Sequence, residues 1–260
     1  MGVRMDTDSN LEARIWFYPP KRPRYLRGMD LESNLNSIRQ GIAGACARAG
    51  RDPGSVTLLA VTKDRPPEVV DEAARLGLTL FGENKVQEAK AKISLCSSRL
   101  RWHMIGHLQT NKCRDAVELF EMIQSVDSLN VARDLDKRAD QAGRRMSVLL
   151  EVNVAGEASK FGYRPEQLLS DLPQLKNLAR LDLQGLMTVP PWTRDAERVR
   201  PVFRRLRELK ARCEELLGIS LPQLSMGMSA DFQVAVEEGS TIVRIGTGLF
   251  GLRQKLPQVI

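Results

Sequence analysis

From Asp30 the apolar residues Leu31, Leu35, Ile38, Ile42, Ala45 and Ala49 recur at helical spacing and predict one amphipathic helix ahead of any strand. The pattern then changes. Short apolar runs at residues 56–62, 78–82, 101–105, 122–126, 147–154, 181–189, 223–226 and 242–245 read as eight buried strands. Segments with a 3.6-residue period lie between them, at 67–76, 86–95, 111–119, 129–142, 165–178, 196–217 and 231–238. Asp195 and Pro165 mark helix starts, and Gly77, Gly218 and Gly239 follow helix ends. Pro173 falls inside the fifth of these helices and predicts a break or kink there. Strand and helix alternating over about 200 residues indicate parallel βαβ units, and eight units predict a single closed (β/α)8 barrel, an α/β fold with an extra N-terminal helix. A doubly wound open sheet is the rival architecture.

The last two strands each open into a loop of small residues, Ser225-Met226-Gly227-Met228-Ser229 and Val243-Arg244-Ile245-Gly246-Thr247-Gly248. Small residues let backbone N–H groups approach an anion, and the loops after strands 7 and 8 are a common phosphate site in such barrels. Ser229 is placed as the N-cap of the following helix, whose dipole would add to the cradle. Tight turns alone would also explain the glycines.

Composition adds bounds. The chain has 260 residues, 42% hydrophobic and 27% charged, which fits a globular protein of one α/β barrel or two small domains. No apolar run approaches the ~20 residues of a membrane span, and the N-terminus lacks a signal-peptide core. The four cysteines, Cys46, Cys96, Cys113 and Cys213, show no Cys-x-x-Cys spacing, so neither a zinc site nor a disulfide framework is expected, and a reducing cytoplasm fits. The net charge is +7, of which +3 lies in residues 1–28. That segment is aperiodic and holds Pro19-Pro20 and Lys21-Arg22-Pro23-Arg24, so it reads as a loosely docked arm preceding a barrel at 29–260. The remaining excess serves solubility and anion attraction, and no nucleic-acid or membrane partner is expected.

In a barrel of this kind the chemistry sits where strands end. Those positions are unusually polar here: Lys63, Glu83-Asn84, His103, His107, Ser125, Asp127, Asn153, Thr188, Ser225, and Arg244 with Gly246-Thr247. Lys63 ends the run Leu58-Leu59-Ala60-Val61-Thr62, apolar enough to favour a neutral amine, which condenses with aldehydes. A lysine at the mouth, facing a phosphate cradle on the opposite arc of strands, suits a Schiff base with pyridoxal phosphate. Arg244, within Ile242-Val243-Arg244-Ile245, is expected to point into the mouth with Ile242 facing outward; a buried pair with Glu83 is the alternative. Beside a pyridine nitrogen its charge would keep that nitrogen unprotonated. His103 and His107, the only histidines, lack a third ligand at metal spacing and are expected to pack or hydrogen-bond.

Six motifs in order, Ala60-Val61-Thr62-Lys63, Phe81 to Glu88, Trp102 to Lys112, Gly185-Leu186-Met187, Leu224 to Ser229 and Val243 to Thr247, make residues 30–253 resemble the pyridoxal phosphate homeostasis proteins. The resemblance implies a barrel like the N-terminal domain of alanine racemase, holding pyridoxal 5′-phosphate on Lys63. It further implies phosphate contacts from Ser225, Gly246 and Thr247, and Arg244 near the pyridine nitrogen. Strand ends and loops together give the expected cofactor-contact set Lys63, Asn84, His103, Ser225, Met226, Ser229, Arg244, Gly246 and Thr247, with no catalytic residue. The implied role is control of free cofactor by a cytoplasmic monomer, with pyridoxal phosphate-dependent apo-enzymes as partners. A weak amino-acid racemase or lyase is the alternative. Racemases of this fold take a second proton donor from another domain, and here only Tyr163 outside the arm could stand in.

Overall fold

The computed structural model describes residues 30–97 and 99–252. The arm expected at 1–28 lies outside the described residues, as do 253–260. The predicted first helix is α1 (Leu31–Arg48), capped by Asp30, whose side chain accepts from Ser33 N at 3.0 Å. Then come β1 (Thr57–Val61), α2 (Pro67–Arg75), β2 (Leu80–Glu83), α3 (Val86–Ile93), β3 (Arg101–Met104), α4 (Cys113–Leu119), β4 (Met122–Val126), α5 (Leu129–Gln141) and β5 (Met146–Glu151). The chain continues through α6 (Pro165–Lys176), β6 (Leu181–Met187), α7 (Arg200–Leu217), β7 (Gln223–Ser225), α8 (Phe232–Glu237), β8 (Ile242–Ile245) and α9 (Thr247–Phe250).

All eight strands are parallel and close as a barrel in sequence order, β8 pairing back onto β1 through Leu59↔Arg244 and Ala60↔Ile245. Strand alternation sorts the side chains into two layers. Leu59, Val61, Leu80, Leu149, Met187 and Ile242 fill the barrel interior, and the larger apolar layer lies between the strands and the helices. Ile242 therefore shares the inward face with Arg244, contrary to the outward placement expected above: residues two apart on a strand point the same way.

Pro173 neither breaks nor ends α6, which runs unbroken from Pro165 to Lys176. A proline in a helix interior forfeits one bond, at a cost of about 3 kcal/mol. The burial of Leu168, Leu172 and Leu175 on one face of α6 offsets it. Among the described residues, no helix is long and apolar enough to cross a membrane.

Candidate functional site

Barrel closure brings the expected pieces of the site together along one seam. Lys63 follows β1, and the loops after β7 and β8 lie beside it, because β8 is the direct neighbour of β1. The cradle is thus adjacent to Lys63, not on the opposite arc. A Cβ placed on Gly246 would meet Val61 at 3.6 Å, which measures how close the two strand ends run.

The main chain around Lys63 is held by a buried ion cluster that backs β1 and β2. Lys92 of α3 donates from Nζ to Glu83 Oε1 (2.7 Å), to Thr62 O (2.7 Å) and to Glu88 Oε1 (3.0 Å). Thr62 Oγ1 donates to Glu83 Oε1 at 2.6 Å, and Asp64 N donates to Glu88 Oε1 at 2.6 Å. Both peptides flanking Lys63 are therefore tied down, with Asp64 in the left-handed region at φ 58°. Burial raises the Glu83 carboxyl's pKa, and the Lys92 ammonium acts against that. Glu83 is thus Lys92's partner and not Arg244's.

The cradle departs from expectation in one respect. α8 begins at Phe232 with Asp231 as its cap residue, so Ser229 caps no helix. Asp231 accepts from Met228 N at 2.6 Å and closes the loop beyond Ser229, whose hydroxyl turns instead to the β8 loop. There Ser229 Oγ accepts from Gly248 N at 3.0 Å and lies 3.4 Å from Thr247 Oγ1. A Cβ on Gly248 would stand 3.2 Å from Ser229 Oγ, so a glycine is what lets the two loops meet. Gly227, at φ 93°, makes the turn and accepts from Arg244 N at 3.0 Å. Met226 is buried in the outer apolar layer, so its side chain is directed away from the barrel interior.

Arg244 enters the mouth from β8, only 4% exposed. It donates from Nη1 to Ser225 Oγ at 2.6 Å and from Nη2 to the Thr188 carbonyl at 2.7 Å. Burial pulls its pKa down to about 10, with Glu151 and Asp231 opposing, and the guanidinium stays charged at neutral pH. Glu151, which ends β5, has its pKa pushed up to about 7 by burial and by Asp127, against the pull of Arg244. Ser225 Oγ donates to Gln124 Oε1 at 2.6 Å, and Gln124 Nε2 lies 2.8 Å from His103 Nδ1. The single Ser225 proton is thereby committed, and this hydroxyl cannot donate to a phosphate while it holds Gln124.

Of the other expected residues, Asn84 is half-buried after β2, and its main chain packs so closely on Gly106 that a Cβ there would lie 2.3 Å from Asn84 O. His103 lies in the interior, 2% exposed, on the Gln124 row. His107 takes the hydrogen-bonding and packing roles expected of it: its ring lies 2.7 Å from Asp127 Oδ2 and stacks on Phe161 at 3.7 Å. An open cleft of about 490 Å³ lies between the loops after β3 and β4, lined by His107, Gln109, Asp127 and Ser128. Tyr163 is 3% exposed, packed in the outer layer and bridged to Val152, with its hydroxyl pKa raised by burial.

Sequence reasoning passed over Gln124, Glu151, Lys92 and Asp231. Gln124 and Glu151 carried a signal, since each interrupts or ends an apolar strand on the inward face.

The donor set suits a phosphorylated aldehyde. Two hydroxyls converge at Ser229 and Thr247, held together by the Gly248 amide, a fixed cation backs the mouth, and a lysine ends the adjoining strand. Residues 33–254 match the model of the alanine racemase N-terminal domain. The chain is 44% identical over 227 residues to the pyridoxal phosphate homeostasis protein of Aquifex aeolicus strain VF5, covering 87% of this chain and 100% of that one. The structure of PipY from Synechococcus elongatus PCC7942 with PLP bound superposes with a TM-score of 0.76 at 38% identity, over 85% of this chain and 100% of that one. An alanine racemase from Clostridium difficile 630, 16% identical with a TM-score of 0.68 over 86% of this chain and 60% of that one, shares the fold.

Proposed function

The chain belongs to the pyridoxal phosphate homeostasis proteins, a family built on the alanine racemase N-terminal domain, and on that premise we propose that it binds pyridoxal 5′-phosphate and holds it without turnover. The observation that carries the reading is the seam itself: Lys63 at the end of β1, beside the Ser229–Thr247–Gly248 cradle at the ends of β7 and β8. When bound, the cofactor supplies an aldehyde for an amine to capture and a conjugated ring that withdraws electrons. Lys63 is the amine. Ser229 and Thr247 offer hydroxyl donors, with the half-buried Gly246 before Thr247 in the β8 loop, to the phosphate dianion.

Arg244, charged and held from behind, suits the ring nitrogen, where a permanent cation keeps that nitrogen unprotonated and limits electron withdrawal by the ring. Tyr163, buried in the outer layer, supports a carrier over a two-base racemase. Four free cysteines, three of them buried, support residence in a reducing cytoplasm. A homeostasis role like that of its relatives would have it exchange cofactor with pyridoxal phosphate-dependent apo-enzymes. The test incubates saturated protein with L-alanine in deuterium oxide: a carrier shows no Cα exchange above free cofactor, whereas exchange at several turnovers per second, lost in Lys63→Ala, sinks the carrier reading.

A further inference from the structure

Arg244 is one end of a row of side chains that crosses the barrel interior from β8 to β3. Nη1 reaches Ser225 Oγ at 2.6 Å, Ser225 Oγ reaches Gln124 Oε1 at 2.6 Å, and Gln124 Nε2 reaches His103 Nδ1 at 2.8 Å. Each member is buried, at 4%, 0%, 0% and 2% exposure. The direction of each proton follows from the arginine end together with the donation of Ser225 Oγ to Gln124 Oε1. A guanidinium only donates, so Ser225 accepts from it and passes its own proton to Gln124. Gln124 must then present Oε1 to Ser225 and its amide N–H to His103. Nδ1 of His103 is the accepting nitrogen, and the neutral ring carries its proton on Nε2, an atom buried without a partner among the described residues. Burial holds His103 down to about pKa 4, so the ring is neutral at physiological pH.

We propose that Gln124 is a positioning residue, coupling Arg244 to His103 so that the guanidinium's orientation in the mouth and the imidazole's tautomer are set as one unit. An arginine side chain is rotamer-rich, and fixing it before a ligand arrives removes that entropy from binding. Thr188 O and Ser225 Oγ hold its two terminal nitrogens. The Ser225 grip is firm only while the hydroxyl cannot rotate, and Gln124 is what stops it. Among the described residues, the hydrogen bonds of Gln124 run to Ser225 and His103. As applied to a pyridoxal ring, the inference rests on the cofactor reading above.

Ring-¹⁵N NMR on the full-length, unloaded protein reads the coupling without any cofactor; with two histidines, a His107→Gln variant assigns the signals. Wild-type His103 is expected as the Nε2–H tautomer. Gln124→Glu, nearly isosteric but unable to donate, should move the proton to Nδ1, because a carboxylate accepts from both neighbours. In a second arm, Gln124→Met should raise the Kd for pyridoxal phosphate about tenfold and shift its visible band, since the guanidinium loses a fixed orientation. Borohydride should still fix the cofactor to Lys63. An unchanged Nε2–H tautomer in Gln124→Glu, or wild-type Kd and band in Gln124→Met, overturns the proposal. A wild-type chain that takes up no pyridoxal phosphate sinks the cofactor reading alone, and the tautomer then decides the coupling.

Discussion

Replacing Lys92 by methionine removes the cation from a cluster that has almost no water to fall back on. Glu83 is 0% exposed and Lys92 5%, and their closest approach is 2.7 Å. Without the ammonium, Glu83 retains only the Thr62 hydroxyl at 2.6 Å, and the Thr62 carbonyl loses its Lys92 donor. Breaking a buried pair from one side typically costs about 3–5 kcal/mol, because the remaining charge is uncompensated. The loss of Glu88's anchoring, which is partly exposed, adds little. Urea denaturation at pH 7.5 should show that deficit with an unchanged m-value. The sign with pH follows from Glu83: burial already raises its pKa, and removing Lys92 raises it further. A folded-state acid with a raised pKa loses stability as pH rises, so the deficit should be largest at pH 8 and shrink toward pH 5. Adding Glu83→Gln to Lys92→Met should recover most of it. A single variant costing under about 1 kcal/mol, or a double variant no better than the single, would refute the view that this pair is a buried, mutually dependent unit. Because the cluster ties the peptides on both sides of Lys63, the same variant should also weaken cofactor uptake.

Gly227→Ala should cost about 3 kcal/mol in thermal or chemical denaturation, since φ 93° disfavours any Cβ and the new methyl would lie 2.5 Å from Ala235 Cβ; a loss under about 1 kcal/mol would mean that the loop shifts freely. Ser229→Ala and Thr247→Ala should each weaken pyridoxal phosphate binding by about 1–3 kcal/mol, with pyridoxal itself unaffected. Equal losses for both ligands would place the phosphate elsewhere. His103 titrates near pH 4 in the fold against about 6.5 in the unfolded chain, so the unfolded state binds the extra proton between those values. Wild-type stability should therefore fall by about 3 kcal/mol relative to His103→Asn between pH 7 and pH 4, and a constant gap contradicts a buried neutral ring.

The barrel was legible because its determinants are local and repeated: eight apolar runs, seven intervening helical periods, and glycines after helix ends. Strand limits differ by only a few residues, as at 147–154 against Met146–Glu151, because the apolar run continues past the last ladder bond. The site was legible as an inventory of residues but not as a geometry. Lys63, Arg244 and the two small-residue loops stand at strand ends as expected, yet their adjacency comes from closure of β8 onto β1, a contact between residues nearly 200 positions apart. Ser229 was misplaced at a helix start because the competing carboxylate of Asp231 lies only two residues on, and either residue type can close such a turn. Ser225 stands at the end of β7 as expected, and the row it joins through Gln124 to His103 depends on partners from β3, β4 and β8 that no local pattern links. Glu83 and Lys92 stand on successive elements, and only burial tells their pairing from a surface one.

The most direct test of the cofactor account is to incubate the full-length protein with pyridoxal phosphate, reduce with borohydride and map the labelled peptide by mass spectrometry. A stoichiometric adduct on Lys63, absent from Lys63→Ala while that variant remains folded, is the predicted result. An adduct confined to Lys85 or Lys112, or labelling that persists in Lys63→Ala at the wild-type level, would contradict it.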